Sequence, residues 1–322
     1  MLNLATLLAQ PIIAGLLYGA TYALAALGLS LIFSVLGVLN LAHGDFVMLG
    51  GFIGFYVAGT ISVVQYGLTA VLGILLVSFI FIALLGAVYE LIFIKYILRR
   101  SGTDALISSI LVTIGTAFII ENVGYQYMPL FIPFRQSIFR IVAPVQQLTF
   151  NYGGVFVQGV QMISLITLAV ATVLLYFFSR RTYLGKAMRA ITQNKESTLL
   201  MGVNLQRVSI MTFAIGSGFG ALAGVTIAMT STMSPGFGIA YTISLLSVMV
   251  LGGTKSYWGP LVGGLIIGVL QTMIQSQIVN SIYIPVLNIS FSGIYYWAPV
   301  ISILVLIVVL LIRPTGLAGS RQ

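Results

Sequence analysis

Nine apolar runs, most of them long enough to cross a bilayer, constrain this chain of 322 residues more than any motif in it. An α-helix rises about 1.5 Å per residue, so the roughly 30 Å of bilayer hydrocarbon takes about 20 mainly apolar residues. Runs of this kind lie at about 11–39, 46–66, 68–94, 104–123, 160–178, 208–230, 238–253, 259–280 and 293–312. They are continuous, whereas a membrane β-barrel reads as ten-residue segments of alternating polarity. In lipid each run must satisfy its own backbone hydrogen bonds, which leaves helices. The expected fold is therefore an all-α integral membrane protein, a polytopic bundle of about 8–9 transmembrane helices in a single domain over 1–322. The second and seventh runs are open to two readings. Only Asn40-Leu41-Ala42-His43-Gly44-Asp45 separates the second from the first, and the seventh is short and ends at Gly252-Gly253. Each is either a full crossing or a re-entrant or broken helix.

Composition narrows the function classes. The chain is 59% hydrophobic and 6% charged, against roughly 45–50% and about 25% in soluble domains. Too few charges exist to solvate a globule of this size, which excludes a soluble enzyme, a disordered chain and a nucleic-acid partner despite a net charge of +9. With no cysteine there is neither a disulfide framework nor a thiolate metal site, and one histidine does not make a zinc site. No catalytic residue and no metal site is expected. The first charge in the chain is Asp45, so the positive region of a cleavable leader is missing and the first run is expected to be retained.

The cations give an orientation. Lys95, Arg99 and Arg100 lie between the third and fourth runs, and Arg180, Arg181, Lys186, Arg189, Lys195 and Arg207 between the fifth and sixth. By the positive-inside tendency both loops face the cytoplasm. If all nine runs cross, Lys255, Arg313 and Arg321 join them, leaving Arg135 and Arg140 outside. This predicts an external amino terminus and a last helix stopped on the cytoplasmic side by Pro314 and Gly316; one re-entrant run would move a terminus across. Anionic lipid head groups are the expected counter-charge. Residues 124–159, with Pro129, Pro133, Pro144 and Asn151-Tyr152-Gly153-Gly154, are expected to form an external segment that either receives a partner or is an ordinary loop.

Internal similarity is limited to Val47-Met48-Leu49-Gly50-Gly51 and Val248-Met249-Val250-Leu251-Gly252-Gly253, which read equally as an internal repeat or as coincidence among 35 glycines. Spacings of small-xxx-small at Gly216, Gly220 and Gly224 predict a helix packed on more than one face. The most informative polar stretch is 179–207, expected as a cytoplasmic loop. Inside it, Asn194 to Gly202 reads as a short helix with a polar start, apolar 199–201 and a glycine at the left-handed C-terminal position. The helix either lies at the lipid surface or docks a cytoplasmic partner.

Glu196-Ser197-Thr198-x3-Gly202 is similar to the E-A-A-x3-G coupling segment of bacterial ABC-importer permeases. Arg181-x3-Gly185-Lys186-Ala187-x-Arg189-Ala190 and Gly202-Val203-Asn204 around it resemble the same loop of the branched-chain amino acid permeases, the LivH/LivM type and the LivH-like half in particular. Further matches are Gly19-Ala20-Thr21-Tyr22-Ala23-Leu24, Asn40 to Asp45 with Met48-Leu49-Gly50, Gly259-Pro260-Leu261-Val262-Gly263-Gly264 and Arg313-Pro314-Thr315-Gly316-Leu317. Departures are Asn194 where the family commonly has an acid, Ser197 for the first alanine of the older pattern, and Thr198 where alanine is common. The resemblance implies a bacterial-type inner-membrane subunit that works with a second permease, two cytoplasmic ATPase subunits and an external substrate-binding protein. ATP and magnesium would be bound by the ATPases, since no G-x4-G-K-[ST] occurs here. Gly185, Arg189, Asn194, Glu196, Thr198 and Gly202 are the implied coupling residues. Branched-chain or other hydrophobic amino acids are the implied cargo, with urea or short amides as the alternative inside the family. An ion-coupled carrier or a channel is the alternative outside it.

Among intramembrane polar residues, Asp45 is expected to cap the helix beginning at Phe46, or else to line a translocation path with Asn40 and His43 where the helix is interrupted. Ser234, before Pro235-Gly236, is expected at an external gate. Glu90 is expected to pair with a basic loop residue or to anchor its span at the interface, and Glu121 to meet Arg135 or Arg140.

Overall fold

The computed structural model describes residues 4–61, 63–98, 102–132, 138–143, 145, 148–152, 155–253, 259–276, 283–284, 289–290, 298–313 and 316–317. Arg99, Arg100, Pro133, Arg135, Pro144, Gly153, Gly154, Lys255, Pro314, Thr315 and Arg321, which entered the sequence reading, lie outside the described residues. The chain is an all-α membrane protein. Helix α1 spans Leu4–Leu36, α2 His43–Thr60 and α3 Val63–Tyr89; α3 leads through a wide π-turn, Glu90–Ile94, into the short α4, Lys95–Ile97. Helix α5 (Gly102–Phe131) is followed by the antiparallel hairpin β1 (Thr149–Tyr152) and β2 (Val155–Gln158), with Thr149 opposite Gln158. Then come α6 (Gly159–Arg181), α7 (Tyr183–Gln193), α8 (Lys195–Leu200), α9 (Leu205–Thr230), α10 (Phe237–Gly252) and α11 (Gly259–Gln275). A two-residue hairpin, Tyr283–Ile284 with Ile289–Ser290, precedes α12 (Ala298–Ile312).

Among the described residues, five helices are long and apolar enough to cross a membrane: 8–36, 67–97, 103–130, 159–181 and 205–230. Helices α10 and α11 are apolar but have 16 and 17 residues, or about 24–26 Å of rise. Several boundaries differ from those read in the sequence. The break after the first helix falls at 37–42, so α2 starts at His43 and not at Phe46. Helix α5 continues to Phe131, so residues 124–131 belong to a helix and not to a segment beyond it.

Helices α1 and α9 form the buried centre, and exposed leucine, isoleucine and phenylalanine side chains of α3, α5 and α6 make an apolar outer surface. Small residues let the central helices touch through their backbones. A methyl added at Gly28 would fall on the Gly216 carbonyl oxygen, joining α1 to α9. One added at Gly268 would meet the Gly19 backbone, joining α11 to α1. Along α9, Gly216 faces α1, Gly218 faces Phe79 of α3, and Gly224 faces the Val47 carbonyl of α2. The small-residue stretch thus packs on three sides, as its spacing predicts.

The cations sort to the two ends of this frame. Lys95 lies beside Leu205 and Gln206 at the start of α9, and Arg180 to Lys195 belong to the α6–α7–α8 turn that leads into it. At the other end of α9, the Ile141 N–H donates to the Ala228 carbonyl (2.8 Å) and Phe139 bridges Met233, which puts Arg140 there. Gln10 bonds both ways with the Phe156 backbone, at 2.7 and 2.9 Å, so α1 begins on the β2 side, away from the basic end.

Candidate functional site

Two clusters carry the polar side chains that an apolar bundle has no structural need for. The first surrounds the α1–α2 break. Asn40 makes a local turn, its Oδ1 accepting from the Ala42 N–H (3.1 Å) and its carbonyl from the His43 N–H (3.3 Å). Thr113 of α5 closes the break from outside, accepting from the Leu41 N–H at 3.1 Å and donating to the Ser109 carbonyl at 2.7 Å. The His43 ring lies against Gly28 and Gly220, the sixteenth of the 26 residues of α9, and therefore near the middle of the bundle. Its Nε2–H donates to the Ala25 carbonyl (3.0 Å), which fixes the tautomer and leaves Nδ1 a bare acceptor with no partner.

Asp45 does not cap α2. It sits in the first turn behind Ala42, makes no capping bond, is fully buried, and neither carboxylate oxygen has a partner in another described residue. The expected cap fails because the helix begins three residues earlier than Phe46, which turns Asp45 toward α10. There a methyl on Gly238 would land on Asp45 Oδ1. The first two turns of α10 gather more polar groups around this point. Thr242 Oγ1 accepts from the Gly44 N–H at 2.8 Å and donates to the Gly238 carbonyl at 3.0 Å. Glu121, expected beside Arg135 or Arg140, instead accepts from the Ile239 N–H at 3.3 Å, because ten more helical residues follow it in α5. Ser234 reaches the same neighbourhood through the backbone, its carbonyl accepting from the Phe237 N–H (3.0 Å) as the chain turns into α10. An aromatic stack completes the wall, with ring centroids 4.7 Å apart for Phe237 and Tyr241 and 5.2 Å for Tyr22 and Tyr241.

Sequence reading grouped Asn40, His43 and Asp45 and had Ser234 at a turn; the structure sets Asp45 against the start of α10 and Ser234 in the turn before it, while Asn40 closes the break beside α5 and His43 faces α1 and α9. It missed Gly238, Thr242 and the Phe237–Tyr241 pair, which lie almost 200 positions away and show no local signal, and Tyr22, which stacks on Tyr241 from α1. Replacing Thr242 with Val removes the acceptor for a buried amide, and we expect a loss of about 1–3 kcal/mol, read as a lower thermal midpoint of the purified chain.

The second cluster lies at the basic end. Helix α7 was not expected, although Leu184, Ala187, Met188 and Ile191 follow helical spacing. Thr182 caps it, accepting from the Gly185 N–H (3.0 Å), and Gly185 lies so close to α6 that a methyl there would strike the Phe178 carbonyl. Arg189 is half-buried, with Nε unpartnered. Asn194 then caps α8, accepting from the Ser197 N–H at 2.9 Å, while Thr198, buried, donates to the Asn194 carbonyl at 2.6 Å. Gly202 ends the element at φ +82°, a left-handed conformation that costs other residues about 1–2 kcal/mol. Glu196 is exposed in the first turn. The helix presents Leu200 and Met201 to solvent at 90% and 86% exposure, a pair of apolar side chains that water disfavours unless something covers them.

Between the clusters, Glu90 shares a small cavity with Lys95 and takes its hydrogen bond from a helix rather than from a loop. It is fully buried in the π-turn and accepts from Ser209 Oγ of α9 at 2.7 Å, with Oε2 unpartnered. A small cavity of 150 Å³ beside it is lined by Lys95, Leu98, Leu205 and Gln206. Ser209→Ala should cost about 1–3 kcal/mol by leaving a buried carboxyl oxygen bare, and urea or thermal melts of the two proteins test it.

Comparison with known proteins follows from this geometry. The family model described as branched-chain amino acid transport system, permease component, matches residues 12–312. A high-affinity branched-chain amino acid transport system permease protein, BraD of Pseudomonas aeruginosa, is 27% identical over 97% of this chain and 96% of its own length. The corresponding LivH protein of Salmonella typhimurium is 26% identical with the same coverage. Among solved structures, PsaBC from Streptococcus pneumoniae in complex with Fab aligns over 91% of this chain and 90% of that one, at 15% identity and a TM-score of 0.43.

Proposed function

The chain belongs to the family of branched-chain amino acid transport system permease components, and from that premise we propose that it is a membrane subunit of an ABC importer. In this reading it passes branched-chain or other hydrophobic amino acids from an external binding protein to the cytoplasm of a bacterial-type cell. A second permease completes the membrane core, and two ATPase subunits dock at the basic end. One observation carries the reading: the capped helix α8, with Leu200 and Met201 exposed at its tip. An apolar pair held out on a rigid helix amid basic residues has the anatomy of an interface centre with a polar rim. Closure of the ATPase dimer would push on α8, and the push would pass through α7 to α6 and through the Asn204 cap to α9, tilting the central helices as rigid bodies. The binding protein would favour one state by binding it better, as any ligand that shifts such an equilibrium must.

Purification of the tagged chain from its native membrane tests the assembly. Two ATPase subunits and a second permease are expected to co-purify, and leucine uptake into proteoliposomes of the complex is expected to require ATP and the binding protein. Uptake driven by an ion gradient with this chain alone would overturn the reading. Urea binding without leucine binding by the cognate binding protein would move the cargo to urea or short amides.

A further inference from the structure

We propose that Asp45 is the intramembrane counter-charge for a primary ammonium group, the α-ammonium of the amino acid in transit, at a site formed with the first turn of α10. The inference rests on the amino-acid reading above. A carboxylate near the middle of a membrane bundle is costly unless paired. Asp45 is fully buried, no side chain or backbone group of another described residue donates to either oxygen, and the donors around it are otherwise engaged: the Gly44 N–H is taken by Thr242 and the Ile239 N–H by Glu121. The described cations lie toward the two ends of the bundle, and His43 donates away from Asp45, to Ala25. Glu121 adds a second negative group to the same turn, acting on Asp45 through its charge. Two acids facing one point, with no cation between them among the described residues, is an arrangement that a passing cationic group completes.

The wall beside it suits the rest of such a molecule. Phe237, Tyr241 and Tyr22 stack into a continuous aromatic surface one helical turn from Gly238, and the Tyr241 hydroxyl is buried with no partner. Aromatic faces accept both aliphatic side chains and ammonium groups. A side chain at position 238 would occupy the space Asp45 Oδ1 uses, so glycine there keeps the carboxylate at the α10 surface.

The test is equilibrium binding to the full chain in lipid nanodiscs, with tritiated 3-methylbutylamine as probe. Saturable binding is expected, displaced by leucine and by unlabelled amine but not by 3-methylbutanoate or 3-methylbutanol. Asp45→Asn should weaken it by at least about thirtyfold, the scale on which one partner of a buried charge pair is lost. Asp45→Glu should restore part of the affinity, and Glu121→Gln should weaken it less than Asp45→Asn. Monodisperse elution of each variant guards against misfolding. Absence of saturable amine binding, equal displacement by the carboxylate or the alcohol, or unchanged affinity in Asp45→Asn would each overturn the proposal. Those failures would leave ATP-dependent leucine import standing. Import of urea in place of leucine would instead overturn the function, with the amine titration read separately.

Discussion

Gly224→Ala is expected to cost this protein about 3 kcal/mol or more, while the same change at Gly73 stabilises it slightly. The added methyl at 224 has no room: it would overlap the Val47 carbonyl oxygen and lie 2.8 Å from the Gly51 amide nitrogen. Both obstacles are backbone, so no side-chain rotation relieves them and α2 must move off α9. Overpacking of this kind typically costs about 1–3 kcal/mol, and more where backbone has to shift. Gly73 has nothing within 4 Å of the same position, so alanine there only removes the helix penalty of glycine, about 0.5–1 kcal/mol. Thermal midpoints of the two purified variants give the answer. A Gly224→Ala protein as stable as the parent would mean that α2 and α9 are not in backbone contact.

Leu200→Asp combined with Met201→Asp is expected to reduce ATP-dependent uptake by at least a hundredfold and leave the chain's own melting unchanged. Both side chains are almost wholly exposed, at 90% and 86%, so the folded chain loses no packing. Central apolar residues of an interface commonly contribute about 2–4 kcal/mol each, and two carboxylates in their place would be buried against the ATPase without partners. The distinguishing readout is co-purification: the ATPases should be lost while the second permease stays. A smaller effect is expected from Asn194→Ala, about 1 kcal/mol of α8 stability from the lost cap. If the double variant transports normally, the exposed pair faces lipid and the coupling surface lies elsewhere.

Some of this was legible in the residues alone. Apolar run length gave the class and most helix positions, and glycine spacing gave the packed faces of α9. Asn194 and Gly202, a side-chain cap and a left-handed stop eight residues apart, marked α8 because both act within one turn of their own backbone. What stayed hidden depends on distant partners. Asp45 looked like a cap because Phe46 follows it, yet the helix start moved to His43 once Thr113 held the Leu41 amide and Thr242 the Gly44 amide. Glu121 looked terminal because polar residues follow it, and only the depth of α10 against α5 shows that it reaches the Ile239 amide. Helix α7 carries a helical spacing at Leu184, Ala187, Met188 and Ile191 that its interleaved cations obscure.

The wide turn at Glu90–Ile94 also sets the phase of everything that follows it. Ile74, Ser78, Ile82, Gly86, Glu90 and Ile94 are all buried at a strict spacing of four. In an ordinary α-helix each such step overshoots a full turn by about 40°, so five steps would carry the last residue about 200° around to the lipid side. Widening the final turn slows the last of that rotation, so that beyond Glu90, which meets Ser209, Ile94 and Ile97 remain inside. Deleting a single residue from 91–93 would therefore act as a rotary switch, swinging Lys95 through about 100° and away from the Glu90 cavity.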